Sequence, residues 1–379
     1  MHENRGRAVL PSPDPQALAA SRTLLDRIGA ELAVAGNWIS FARYMELVLY
    51  EPGLGYYAAG ARKLGAGGDF VTAPELSPLF GRALARQIAQ ILQPGDAILE
   101  FGAGSGVLAE VLTLEFPGLK YQILETSPEL RQRQQERLAD RVQWLDRLPG
   151  RFRGVMLANE VVDAMPVHAL AWTHTRVLER GVCANEGQLA WSDRAAKDPV
   201  LVQATKLDME IPPSGRYESE LALLARAWMR SLGRFLERGA LLVVDYGFPA
   251  REYFHPQRSM GTLACHYRHH AHDDPFYLPG LQDVTAHVDF SALAGAAVDA
   301  GMAVLGYANQ AQFLVNCGIT ELLAEENPAD PKRYLPAAAA AQKLLSPSEM
   351  GELFKVLAVG KGVQDPLMGF SRGDRSGTL

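Results

Sequence analysis

The sequence predicts an α/β fold built on a parallel sheet covered by helices on both faces. Two observations predict it. Short apolar runs at 97–101, 121–124, 142–145, 154–158 and 240–244 alternate with helix-period segments at 107–115 and 128–138. A glycine-rich loop joins the first of those runs directly to the helix that follows it.

The remaining elements follow in order. Residues 1–15 are polar and proline-rich and read as a frayed lead-in. Residues 16–50 carry apolar positions at helical spacing: Leu24, Ile28, Leu32, then Tyr44, Leu47 and Val48. Ser40 is placed to cap the second helix, its hydroxyl accepting an otherwise unpaired N–H of the first turn. Residues 52–68 hold too many glycines for helix or strand and read as a loop. Helix returns at 76–92. Residues 176–193 alternate and turn near Asn185-Glu186-Gly187, as a hairpin does. Residues 217–237 read as a helix with Leu221, Leu224, Trp228 and Leu232 on one stripe. A long Gly-, Pro- and His-rich stretch at 246–289 reads as an inserted loop. Helix, strand and helix then lead to a last strand at 354–359. The expected division is an N-terminal helical extension over 1–80, a core over 81–175 and 239–379, and an inserted hairpin and helix over 176–238.

Composition narrows the function. The chain has 379 residues, 48% of them hydrophobic and 21% charged, an ordinary globular balance. A net charge of -6 disfavours a globally basic nucleic-acid binder. No apolar run approaches the roughly 20 residues needed to span a bilayer. The first twenty residues lack an apolar signal core. Cys183, Cys265 and Cys317 lie far apart and form neither a disulfide framework nor a metal pair, so a reducing cytoplasm is the expected compartment. Cys265, His266, His269, His270 and His272 cluster, but their spacing lacks the carboxylate or thiolate partners of a metal site, and a polar substrate loop is the expectation. No metal is expected. The helical additions leave room for a homodimer, without a heptad seam to drive one.

The glycine loop carries the cofactor reading. Glu100-Phe101-Gly102-Ala103-Gly104-Ser105-Gly106 has the spacing G-x-G-x-G. A dinucleotide site wants its third glycine at position 107, which is Val107. Glu100 sits badly beside a pyrophosphate and well beside a cationic cofactor. S-adenosyl-L-methionine carries an ammonium and a sulfonium and no phosphate, so it is the expected cofactor. Glu125 ends the next strand, where a carboxylate meets ribose hydroxyls in nucleotide-binding sheets. Thr126 follows it. Trp144 or Leu145, at the third strand end, is placed to cover an adenine.

The fourth strand ends in Asn159-Glu160-Val161-Val162-Asp163. Ligands in open α/β sheets lie beyond the carboxyl ends of the strands, so this segment faces the transferred group. If it starts a helical turn, Glu160 and Asp163 share a face at i, i+3. Paired carboxylates with Asn159 beside them suit a cationic nucleophile such as guanidinium, which offers five donors and no acceptor. Asp245-Tyr246-Gly247 lies at another strand end and is a further candidate wall. His287 and Asp289 are weaker candidates, since either can simply cap the next helix.

The motifs together resemble the MidA-like methyltransferases. The resemblance runs through Ser40-Phe41, Tyr44-Met45, Leu49-Tyr50, Gly55-Tyr56-Tyr57 and Gly68 to Glu75. It continues through the glycine loop, Glu125 to Pro128, Asn159 to Pro166, Asp245 to Gly247, Gly261 to Leu263, Asp283 to Phe290 and Met350 to Val356. It implies a Rossmann-like class I methyltransferase fold with inserted substrate-side elements, and S-adenosyl-L-methionine held by Gly102, Gly104 and Glu125, with the Asp69-to-Thr72 segment closing over it. It also implies methylation of protein arginine, since mitochondrial members act on a subunit of respiratory complex I during its assembly. Two other functions fit the same residues: a methyltransferase for another protein or a small molecule, and an assembly factor that binds the cofactor without turnover.

Overall fold

The computed structural model describes residues 10–59, 71–207 and 209–379. Strands of the central sheet are numbered here in chain order: β1 (Ala97–Phe101), β2 (Lys120–Leu124), β3 (Gln143–Leu145), β4 (Phe152–Asn159), β5 (Leu236–Phe248), β6 (Ala303–Asn309) and β7 (Phe354–Lys361). They lie in the order β3-β2-β1-β4-β5-β7-β6. The first five pair in parallel, and β7 runs antiparallel to both β5 and β6. The sheet is therefore mixed rather than wholly parallel. The reason lies at one edge. Asn309, the last residue of β6, pairs with Lys355 near the start of β7. The chain leaves and re-enters the sheet at the same end, so its last strand must run backwards.

Side chains on β1, β4 and β5 alternate between two apolar layers. Ile98, Val155, Leu157, Leu242 and Val244 join one cluster. Leu99, Met156, Ala158, Leu241 and Val243 join the other. Burial on both faces is why these strands read as continuous apolar runs. Helices α1 (Pro15–Val34), α2 (Phe41–Tyr50), α3 (Pro78–Ile91), α4 (Val107–Glu115), α5 (Pro128–Leu138), α6 (Leu223–Phe235) and α7 (Phe290–Asp299) are the longer helices up to residue 299. Leu84 and Ile88 of α3 and Leu108 and Leu112 of α4 cover the first face. Met229 and Leu232 of α6 and Phe290 and Leu293 of α7 cover the second. Ser40 caps α2 as expected, accepting from Arg43 N at 3.2 Å. Asp289 caps α7, accepting from Ala292 N at 2.9 Å.

Two sequence expectations change. The helix expected over 217–237 begins only at Leu223, because Arg216–Leu221 is a strand antiparallel to His168–Thr173. Tyr217, Ser219 and Leu221 face inward while Arg216 and Glu218 pair outward with each other and, respectively, with Asp193 and Arg180. The buried face of α6 is accordingly Ala225, Met229 and Leu232, and Leu224 is exposed. The stretch 246–289 is also more than a loop. It holds a short helix (Ala250–Tyr253) and a three-stranded sheet of Ala264–Tyr267, His270–His272 and Asp283–Thr285.

A second, five-stranded sheet of Ile39–Ser40, Val177–Asn185, His168–Thr173, Arg216–Leu221 and Gln188–Ala195 packs on α1 and α2. Leu24, Ile28, Phe41, Tyr44 and Val48 meet Ala169, Val182, Cys265 and Val284 in one cluster. The N-terminal helices, this sheet and the small sheet thus share one core. No helix among the described residues is long and apolar enough to cross a membrane.

Leu241 and Leu242 lie in the middle of β5 with 0% and 1% exposure, one in each apolar layer. Replacing either with alanine is expected to cost about 3 kcal/mol of stability, read as a fall in the denaturant midpoint at unchanged slope.

Candidate functional site

The loop after β1 folds as its glycines demand. Gly102, Gly104 and Gly106 have φ of 55°, 55° and 80°, the left-handed region that side-chain-bearing residues rarely adopt. Gly102 N donates to Leu124 O at 3.0 Å, which ties the loop to the end of β2. The loop is also tied from α5, by a residue the sequence reading passed over. The buried Gln134 donates to Gly104 O at 2.9 Å and to Glu125 Oε2 at 3.0 Å, and accepts from Trp144 Nε1 at 3.0 Å. Its signal was faint: Gln134 and Leu138 are the i, i+4 pair by which an otherwise polar helix faces inward. Glu125 Oε1 accepts Ser127 N at 2.9 Å.

Beyond the carboxyl ends of β1, β2 and β4 lies a cavity of about 820 Å³. Its floor is Glu100 to Ser105, Val107, Leu124 to Thr126, and Asn159 to Val161. Its roof comes from α2, from Thr72, Pro74 and Glu75, and from Leu224 and Trp228 of α6. Five carboxylates line it: Glu46, Glu75, Glu100, Glu125 and Glu160. Among the described residues, Arg43 is the sole arginine or lysine on the wall, and it is already bound to Glu31 at 2.6 Å and Glu46 at 2.8 Å. His168 also lines the wall, its Nδ1 2.7 Å from Glu179.

Burial raises the affinity of Glu100, Glu125 and Glu160 for protons. Glu100 is pushed up to about 7, chiefly by desolvation, although the Tyr121 hydroxyl donates to it at 2.7 Å. Glu125 is raised by the same cause, against its hydrogen bonds from Ser127 and Gln134. Glu160 is pushed up to about 8 by burial and then by the neighbouring Asp163 charge. The Ala73 N–H at 3.4 Å and Asn159 Nδ2 at 3.2 Å offset this only in part.

The segment after β4 differs from the expected helical turn. Glu160 has φ 53°, and its N–H donates to Val244 O at 2.8 Å. Asp245 Oδ2 then accepts Val162 N at 2.9 Å and Asp163 N at 3.2 Å. These bonds hold a tight turn, so Glu160 and Asp163 do not share a helix face. Glu160 lines the cavity together with Asn159, while Asp163 is buried behind the wall beside Asp245 and Tyr246. Burial raises both Asp163 and Asp245.

The other expected site residues divide similarly. Ala103, Thr126 and Thr72 line the cavity along with Gly102 and Gly104. Gly106 does not; it packs against Leu138 and Gln134, where an added Cβ would lie 3.3 Å from Leu138. Trp144 and Leu145 are not on the wall either. The Trp144 ring joins the core on one face of the sheet and Leu145 that on the other. Asp69 lies outside the described residues. The histidine cluster forms a β-hairpin whose residues are not on the cavity wall. Asp245, Tyr246 and His287 are likewise behind the wall. Tyr50, Tyr57 and Trp228 line the cavity and were not singled out from the sequence as site residues. Trp228 packs edge-on against Phe101, with centroids 5.4 Å apart.

Known proteins resemble this chain over nearly its whole length. The profile of a family described as S-adenosyl-L-methionine-dependent methyltransferases matches residues 79–308. The relative named "Protein arginine methyltransferase NDUFAF7, mitochondrial" from Danio rerio is 29% identical over 89% of this chain and 87% of its own. The Homo sapiens protein of that name is 27% identical over 85% and 80%. A crystal structure of a Burkholderia thailandensis protein bound to S-adenosyl-homocysteine is 50% identical, covers 98% of this chain and 100% of that one, and has a TM-score of 0.93. The chain belongs to this family of S-adenosyl-L-methionine-dependent methyltransferases, the kind its motifs resemble.

Proposed function

We propose that this methyltransferase acts on arginine side chains of a protein, with a complex I subunit as the first substrate to test. One observation carries the reading: of the five carboxylates on the cavity wall only Glu46 is paired with a base, and among the described residues the single arginine there, Arg43, is spent on Glu46 and Glu31. Such a wall suits cations on both sides of the reaction. The names of the mitochondrial relatives support the same acceptor.

The residues fit the cofactor. The floor near the glycine loop offers exposed main chain, the carboxylates of Glu100 and Glu125 and, among the described residues, no basic group for a phosphate. Glu125 is placed for a ribose diol, and Glu100 for an ammonium group. Ala103, Thr126 and Thr72 complete that half of the wall. When bound, S-adenosyl-L-methionine supplies an electrophilic methyl carbon and a neutral leaving thioether. Glu160, with Asn159 beside it, holds the acceptor at the opposite end. A guanidinium with pKa above about 12 gives up no proton on its own at neutral pH. One N–H proton must therefore pass to a carboxylate as the new C–N bond forms. The Glu160 Oε atoms are within reach of that role, and a carboxyl at about 8 releases the proton to solvent, ready for the next turnover, as the pH rises through that value. Asp163 and Asp245 act behind the wall as positioning residues for that turn.

Labelled methyl transfer to candidate proteins, read by mass spectrometry, is expected to place methyl groups on arginine. Label confined to lysine or to small molecules would overturn the assignment. Glu160→Gln is expected to lower kcat/KM for the acceptor by about 100-fold, while calorimetric affinity for S-adenosyl-L-methionine stays within a few fold. At saturating cofactor, kcat/KM should rise with pH up to about 8 and then level off, because a protonated Glu160 neither holds a cation nor takes a proton. The same profile should be flat for Glu160→Gln. Glu125→Ala removes charge-assisted hydrogen bonds and is expected to weaken cofactor binding by roughly 10- to 100-fold in the same titration.

A further inference from the structure

Two tyrosines on the roof of the cavity have no role in the chemistry above. Helix α2 ends at Tyr50, and the chain doubles back at once. Gly55 N donates to Glu51 O at 2.7 Å, Tyr56 N to Val48 O at 2.8 Å, and Tyr57 N to Leu49 O at 2.8 Å. A Cβ at Gly55 would lie 2.6 Å from the main-chain nitrogens of Tyr50 and Glu51, so glycine is what admits so tight a return. The return stacks Tyr57 on Tyr50, with centroids 5.6 Å apart and ring planes at 24°.

Both rings line the cavity that Glu46, Glu75 and Glu160 also line. Both hydroxyls are committed elsewhere. Tyr50 donates to Ala164 O at 3.0 Å, and Tyr57 to Asp283 Oδ1 at 3.0 Å. Burial, with Asp283 and Asp163 adding to it, pushes both phenols upward, so neither ionises to act as a base. With their O–H groups spent as donors, the pair offers a ligand aromatic surface and oxygens that can only accept. Aromatic faces in a cavity that also holds the desolvated Glu160 attract a cation and have nothing specific to offer an anionic group.

We propose that Tyr50 and Tyr57 form the cation-binding face of the acceptor subsite, on which a guanidinium lies while Glu160 meets its N–H edge. The proposal rests on the reading that the acceptor is a cationic side chain. It also gives a role to Asp283, as the positioning residue that holds the Tyr57 ring.

The test titrates the S-adenosyl-homocysteine-saturated protein, carrying ring-labelled tyrosine, with N-acetyl-arginine methylamide. The neutral isostere N-acetyl-citrulline methylamide and the lysine analogue are run beside it. The arginine probe should shift the Tyr50 and Tyr57 ring resonances and the citrulline probe should not. Tyr50→Leu and Tyr57→Leu should each weaken arginine-probe binding by about tenfold, and the phenylalanine variants by no more than about threefold. S-adenosyl-homocysteine affinity and thermal midpoint identify any variant that has lost its fold, and the wild-type titration stands without them. Equal binding of citrulline, arginine binding that leaves both rings unshifted, phenylalanine variants as weak as leucine variants, or no binding of either cation would each overturn the proposal. A lysine probe that binds with the same tyrosine dependence while the arginine probe fails would uphold the tyrosine face and overturn arginine as the acceptor.

Discussion

Carboxylates held out of water without a basic partner are the constraint around which this molecule is arranged. A buried charge is costly unless something pairs with it or it takes up a proton. Glu100, Glu125 and Glu160 are raised by burial, and the one arginine on the cavity wall among the described residues is spent on Glu31 and Glu46. The protein thus keeps a cavity whose preferred contents are cations. A methyl donor with a sulfonium and an ammonium answers that need on one side. The guanidinium acceptor proposed above would answer it on the other.

Holding such groups in place takes scaffolding that brings no positive charge. Asp245 makes no wall contact, yet its carboxylate accepts two N–H groups of the turn that begins at Glu160, and Tyr246 N as well. Gln134 does the corresponding work on the other side, joining the glycine loop, Glu125 and Trp144 through one amide. Each is a buried polar group with no cation among its hydrogen-bond partners, which fixes geometry without neutralising the cavity. The additions to the core serve the same end. Helix α2, packed by Phe41, Tyr44 and Val48 against the second sheet, closes the cavity from above and carries Glu46 and Tyr50 to it.

The central sheet and the glycine loop were legible in the sequence because both are local. Strands buried on two faces must be apolar throughout, and a left-handed loop must be glycine, so 97–101, 240–244 and Gly102 to Gly106 declare themselves. Val107 in place of a glycine and the acidic Glu100 also pointed to a cationic cofactor, Glu125 to its ribose and Glu160 to a cationic acceptor. The errors were of a different kind. Leu221 and Leu224 sat at helical spacing, yet pairing with His168–Thr173 drew residues up to Leu221 into a strand. Asp163 lay three residues from Glu160 and was read onto the same face, yet Asp245, more than eighty residues away, bent the segment and turned Asp163 inward.

Sequence alone therefore determined the chemistry of the donor site: which backbone can approach a ligand, and which sign of charge the ligand must carry. Those properties reside in single residues and short spacings. Only the tertiary structure decided which carboxylates face the cavity, that Trp144 and Leu145 stand outside its wall, and that Tyr50 and Tyr57 stand inside it. These outcomes depend on hydrogen bonds and packing between segments far apart in the chain, where Asp283 meets Tyr57 and Gln134 meets Gly104. No periodicity or local motif encodes such contacts, because each is fixed only when the whole core closes.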